Sequence, residues 1–240
     1  MPIDAQLDRA RVNRSKALVD QFRKHQFVRE RLAWNVHTKH RVTTRPMFWE
    51  AMVSCLLTTQ QRSGKGSPVY RFTRTTPFPL RWTVLARIRD RNDLVQRVLI
   101  KAGGIRRHKV LSSHIAENFS LLLDGFWQET LPVLRTLMPT STQIDERLAA
   151  DFIDEHFVGF GPKQARNLLQ WLGLARYEIP IDSRAVKWIN VLRLGVRVDP
   201  TRLQDRAYYC EVLDVVQHVC LVADIYPTVL DAAGFASLES

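Results

Sequence analysis

Cysteine is scarce in this sequence: 240 residues contain three, Cys55, Cys210 and Cys220. An odd number at such wide spacing builds no disulfide framework, which points to a reducing compartment. Long apolar runs are missing as well, and nothing approaches the ~20 residues that span a bilayer. The opening MPIDAQLDRARVNRSK is polar throughout and holds no apolar signal core, so the expectation is a protein that is not exported, has no membrane association and works in the cytoplasm. Alternating apolar and polar positions of the strand type are scarce, leaving an all-α chain as the expected class. Internal repeats and low-complexity tracts are also missing. Acidic residues are in short supply: 24 Asp and Glu stand against 35 Lys and Arg, for a net charge of +11. That excess favours a polyanionic partner, and without a membrane-spanning run nucleic acid is the better candidate.

What is present reads as helix. Apolar residues make up 45% of the chain, enough for one large domain or two small ones sharing a cleft. Phe48, Met52, Cys55, Leu56 and Thr59 fall on one helical face. DLVQRVLIK, from about Asp93 to Lys101, predicts a second helix stopped by Gly103 and Gly104. A third begins near Arg107 with Val110, Leu111, His114 and Ile115 on its inner side. Thr142 is a cap with Asp145 three residues later, ahead of the apolar set Leu148, Phe152, Ile153 and Phe157. The segment DRAYYCEVLDVVQHVCLVADIY predicts another helix, ended by Pro227. Two stretches read as loops: the basic connector His37 to Pro46, and Arg62 to Trp82 with its glycines, prolines and arginines. The second is long enough to suggest a binding role.

The stretch GFGPKQARNLL, Gly159 to Leu169, raises the question of chemistry. A helix runs to about Phe157. Gly159, Phe160 and Gly161 follow, then Pro162 at a first helical position, then a stripe of Ala165, Leu168, Leu169 and Leu172. This is a helix, a tight glycine hairpin and a second helix. Glycines permit close approach of another backbone, and free N–H groups at a helix start attract phosphate. An ordinary αα-corner with a capping glycine would read the same way.

Lys163 sits in the first turn of the second helix. The positive dipole end and the basic protein both disfavour its ammonium form, making the neutral, nucleophilic amine more accessible; a solvent-facing phosphate contact is the alternative. Asp182, in PIDSR, precedes the helical stripe Ala185, Val186, Ile189 and Leu192 and is a good N-cap whatever else it does. Cys210, Asp214 and His218 share a helix face, for which packing is a better account than a metal site.

Val158-Gly159-Phe160-Gly161-Pro162-Lys163-Gln164-Ala165, followed by Ile181-Asp182, resembles the signature of the helix-hairpin-helix DNA glycosylases of base excision repair. CLLTTQQRS, Cys55 to Ser63, looks like the segment of that family that sends a glutamine into the duplex, here Gln60 or else Gln61. GGIRRHKV, Gly103 to Val110, is similar to its glycine-to-lysine turn with a wedge residue, which makes Ile105 or Arg106 the candidate and brings Lys109 to the DNA. The resemblance covers roughly Phe48 to Trp188 and, in its PIDSR context, is nearest to the small microbial 8-oxoguanine glycosylases.

The resemblance implies two helical domains with the hairpin at the cleft between them: residues 46–175 as a helical barrel, and residues 1–45 with 176–240 as a second domain built from both termini. It implies that Gly159 and Gly161 grip phosphate, that Lys163 attacks C1′ of a flipped nucleotide, and that Asp182 stabilises the charge developing on the sugar. The expected partner is double-stranded DNA carrying a damaged base, the expected form is a monomer associated with the nucleoid, and no cofactor or metal is expected. Relatives with an iron–sulfur cluster use four cysteines near the C-terminus, which three cysteines cannot supply. Ser183-Arg184 departs from the Thr-His that often follows the aspartate. An oxidised purine is the favoured substrate, and an oxidised pyrimidine remains open. So do a glycosylase that excises without cutting and a DNA-binding module without chemistry.

Overall fold

Polar caps set most of the helix starts. The computed structural model describes residues 9–37 and 43–239. The first eight residues of the polar opening and residues 38–42 of the basic connector lie outside the described residues. No strand occurs among the described residues, and the chain is all-α. The N-terminal helices are α1 (Arg9–Phe22) and α2 (Gln26–Arg31), followed by a turn of π-helix. Thr44 then caps α3 (Arg45–Leu57) by accepting from the Met47 N–H. Seven apolar residues of α3, Phe48 to Leu57, are at most 1% exposed, so this helix runs through the middle of a core. It ends at Leu57, and Thr59, expected on its inner face, lies in the following turn.

The stretch from Arg62 to Trp82 is not a continuous loop. Ser67 accepts from the Tyr70 N–H at 3.0 Å and, with Pro68 in the first turn, starts α4 (Pro68–Arg74), which buries Val69 and Phe72 on one side. The single turn α5 (Trp82–Leu85) follows. Asp90 caps α6 (Arg91–Ala102), which stops at Gly103 with φ 71°. In α7 (His108–Leu121) Leu111 and Ile115 are buried, but Val110, expected inside, is exposed. Next come α8 (Trp127–Arg135) and α9 (Gln143–His156). Thr142 and Asp145 form a reciprocal capping box at the start of α9, whereas Leu148 is 64% exposed and contributes nothing to the core. The chain closes with α10 (Pro162–Trp171), α11 (Ser183–Leu192), α12 (Arg206–Ala223) and α13 (Pro227–Ser237). Among the described residues no single helix is long and apolar enough to cross a membrane.

Two main apolar cores result. The first gathers buried residues from Phe48 to Ala175, and the second gathers those from Ile179 to Cys220 with Leu230. A smaller cluster of Val28, Val229, Ala232 and Ala233 adjoins the second, and Leu18 and Val19 of α1 pack against both. The N-terminal helices therefore pack with the C-terminal ones.

A buried ionic network joins the two cores. Arg166 of α10 donates to Glu178 at 2.6 Å with both side chains fully buried, and Arg147 of α9 reaches Glu178 and, at 2.7 Å, Asp214 of α12. Removing Arg166 or Glu178 would strand its fully buried partner in a poor dielectric, at a cost of about 3–5 kcal/mol. Asp214, noted in the sequence beside Cys210 and His218, is thus half of an ion pair. Asn35 adds a neutral tie, donating to the carbonyl of Gln170 in the last turn of α10 and to that of Ala175 beyond it.

Candidate active site

The hairpin between α9 and α10 is held from below by α7. Asn118 accepts from the Val158 N–H at 2.8 Å and donates to the Val158 carbonyl at 2.9 Å, fixing the backbone on both its polar groups. Gly159 follows with φ 82°, a conformation that disfavours a side chain, and a Cβ there would also overlap the His114 imidazole. Gly161 is different. Its backbone is extended (φ −140°, ψ −177°), and a Cβ on it would meet nothing within 4 Å. It is the N-cap of α10 and brings no side chain to cap it, so the first-turn N–H groups of that helix lack the partner a serine or aspartate would supply. Such an end is suited to an anion.

Lys163 is in the first turn of α10, half-buried, with its ammonium 3.4 Å from Gln164 Oε1. Burial holds its pKa below the ordinary lysine value; Asp182 and Cys55 pull the other way, and Arg184 adds to the lowering. Desolvation is thus the leading cause. Gln164, the next residue, donates to the Cys55 carbonyl and to Thr59 Oγ1 at 2.6 Å, locking the start of α10 to the end of α3.

Asp182 is the N-cap of α11, accepting from the N–H groups of Arg184 and Ala185 at 2.9 and 3.0 Å. Its second oxygen lies 3.4 Å from the Arg184 guanidinium. Arg184, part of the departure noted in the sequence, therefore acts directly on this carboxylate, and it also stacks over Phe235 at 4.3 Å from the ring centre. Lys163 and Asp182, from the starts of two helices belonging to different cores, line one cavity of about 170 Å³. Arg31, Asn167, Gln170, Trp188 and Asp231 complete much of its wall.

The turn after α3 borders this cavity through Thr58 and Ser63. Gln60 is exposed and takes a left-handed conformation, φ 54°. Gln61 is half-buried: it donates to the Leu57 carbonyl at 2.6 Å and accepts from the Arg106 N–H at 2.8 Å. It joins the glutamine turn to the Gly103–Arg107 turn. In that second turn Arg106 is exposed, as is Lys109 in the first turn of α7. Ile105 is not: it is 6% exposed and belongs to the first core. Of the two wedge candidates it is the buried one, and inserting it into a duplex would empty a core site. Arg106 remains the exposed candidate.

Sequence reasoning missed Arg31, Asp231 and Phe235. Asp231 and Phe235 sit on the otherwise apolar PTVLDAAGFAS of α13, where a single acid among small apolar residues was the available signal. Among the described residues no group of three or more His, Cys, Asp or Glu is placed to hold a metal ion.

Two helical cores with a glycine hairpin where they meet define the fold. No family model matches the chain, and no curated protein matches it. Solved structures do. The 8-oxoguanine DNA glycosylase of Thermotoga maritima superposes with a TM-score of 0.69 over 93% of this chain and 95% of its own, at 13% identity. The 8-oxoguanine DNA glycosylase of Methanocaldococcus jannaschii does so with a TM-score of 0.63 over 92% and 89%, also at 13% identity. The chain shares their fold along nearly its whole length.

Proposed function

We propose that the protein is a DNA glycosylase with lyase activity that removes an oxidised base, 8-oxoguanine in preference, from duplex DNA. The observation that carries this reading is the shared cavity of Lys163 and Asp182 beside an uncapped helix start. The full-length match to the fold of two 8-oxoguanine glycosylases supports it, as does the net charge of +11.

A base inside a duplex is out of reach, so the nucleotide is rotated out at a cost of a few kcal/mol. The hairpin amides hold a phosphate, and Gln60 and Arg106 fill the gap left in the stack. Neutral Lys163 attacks C1′ and the bond from C1′ to the base breaks, the base leaving with the electron pair and taking up a proton. Sugar ring opening gives an imine between Nζ and C1′. Loss of a proton from C2′ then expels the 3′ phosphate and cuts the strand. Asp182 stabilises positive charge at the sugar while the base departs. A lysine serving only as a phosphate contact would face solvent, whereas Lys163 is half-buried and within the electrostatic reach of Asp182.

Duplexes carrying 8-oxoguanine, an oxidised pyrimidine or no lesion test this directly. Base release from the 8-oxoguanine duplex, with strand cleavage before any alkali treatment, is the expected result. Release that yields breaks only after alkali would mean excision without lyase chemistry, and no release from any lesion would leave a DNA-binding module.

A further inference from the structure

Charge is spread unevenly along the chain. Residues 62–109 hold thirteen of the Lys and Arg and only two Asp, a surplus equal to the +11 of the whole protein, while the remaining residues carry acids and bases in equal number. Ion pairing follows the same division. Arg147, Arg166, Arg176, Arg184 and Arg206 each lie against a carboxylate. Among the described residues, the stretch 62–109 has one ion pair, Arg97 with Asp93. An exposed, unpaired excess of one sign draws a polyanion to the surface that bears it.

That surface reaches well beyond the cavity. Arg62 adjoins Ser63 at the cavity's edge, and Gln61 ties the same turn to Arg106. Arg81, Arg87 and Arg89, all exposed, are elsewhere. On one side of Arg81 the Leu80 carbonyl accepts from Trp49 Nε1 at 2.7 Å; on the other, Trp82 packs on Phe119 with ring centres 4.4 Å apart. Arg91 closes the loop that carries Arg87 and Arg89, donating to the Leu85 carbonyl at 3.3 Å with its guanidinium over Phe119. Arg91 begins α6, and Phe119 is in the last turn of α7. These are the ends opposite to the Gly103–Arg107 turn, so the length of α6 sets the three arginines roughly 18 Å away from it. A duplex seated on the hairpin and the glutamine turn would have to bend sharply around the first core to reach them, against a persistence length of about 150 base pairs. Three guanidiniums suited to phosphate are thus left for another polyanion.

We propose that Arg81, Arg87 and Arg89 form a second DNA-binding surface, which takes the backbone of a separate duplex while the cavity face holds the first, so that the protein passes between duplexes without release. Phosphate contacts carry no sequence information, so any duplex serves. Such a surface is independent of the chemistry in the cavity.

Dissociation from a labelled, undamaged duplex, chased with rising concentrations of unlabelled duplex, provides the test. The unaltered protein should leave the labelled duplex several-fold faster as the chase concentration increases, because the second duplex binds before the first departs. Arg81→Gln, Arg87→Gln and Arg89→Gln combined should make the rate independent of the chase, and each alone should give part of that loss, which keeps the assignment testable if the triple variant fails to fold. Arg9→Gln, Lys16→Gln and Arg23→Gln combined remove as much exposed charge from the N-terminal helices and should leave the dependence in place. A rate independent of the chase in the unaltered protein, a dependence that survives loss of the three arginines, or equal loss in both triple variants would overturn the proposal. So would acceleration by single-stranded RNA and not by duplex DNA. Excision from a saturating 8-oxoguanine duplex should be the same in the unaltered protein and in both triple variants; its absence in the unaltered protein would count against the proposed function and leave this surface standing.

Discussion

The position that a side chain on Gly159 would need is already taken by the His114 imidazole. Two residues later the situation reverses, because Gly161 faces open space in an extended conformation. The two glycines of one motif therefore do different work. Gly159→Ala should cost about 1–3 kcal/mol through its positive φ and the clash with α7. Gly161→Ala should leave thermal stability nearly unchanged yet weaken duplex binding, since its methyl group would stand where a phosphate approaches the α10 amides. Melting curves and duplex titrations of both variants check this; a stable Gly159→Ala or a fully binding Gly161→Ala would contradict it.

A similar separation holds in the turn after α6. Ile105→Ala opens a hole in the first core and should cost about 2–5 kcal/mol, with any loss of excision following the loss of folded protein. Arg106→Ala removes an exposed side chain and should leave stability within about 0.5 kcal/mol while slowing lesion processing more than undamaged-duplex binding. Gln60→Ala should behave like Arg106→Ala. Parallel denaturation and single-turnover assays distinguish the two patterns.

The hairpin was legible in the sequence because its determinants are local: glycines, a proline in the first turn of a helix, a lysine beside it, and an aspartate that caps the next helix. Each acts within a few residues of itself. The remainder of the site is tertiary. Asp231 and Phe235 belong to the cavity because α13 presses against α11 over Gly234, and no local pattern states which face of α13 does so. The burial of Ile105 was hidden for the same reason, since a turn motif suggests exposure while the packing of a single side chain below the turn is set by distant helices. The helix α4 was missed because its seven residues are too few for a period to emerge, although Ser67-Pro68 carried a start signal.

Asp182 both caps α11 and borders the cavity, and these roles respond differently to substitution. Asparagine is about as good an N-cap as aspartate, so Asp182→Asn should unfold at nearly the same temperature. Without the charge at the sugar, excision should slow on the order of 10²-fold or more, with lesion binding retained. Asp182→Ala should lose about 1 kcal/mol of stability in addition. Near-normal excision by Asp182→Asn would reduce this residue to a cap.

Burial shifts two groups in the cavity in opposite directions. Burial pushes the Asp231 carboxyl up to about 6, against the opposing effects of Arg31 and Gln170 and with Asp182 adding to the rise. Burial also lowers Lys163. In the proposed reaction Lys163 attacks as the neutral amine, so the requirement is met as its proton leaves. Excision of 8-oxoguanine should therefore increase with pH and level off before the pH at which an ordinary lysine titrates. A rate that falls as pH rises across this range would contradict the proposed role of Lys163.

Trapping with borohydride tests the central claim most directly, because it reads the bond between Lys163 and the sugar itself. Incubation of the protein with an 8-oxoguanine duplex and borohydride should reduce the imine to a stable protein–DNA conjugate on a denaturing gel. Lys163→Gln should form none while remaining folded and retaining most of its affinity for duplex, since one half-buried amine is lost. A conjugate that persists in Lys163→Gln, or full excision by that variant, would show that the nucleophile is another group and that Lys163 does no more than hold the DNA.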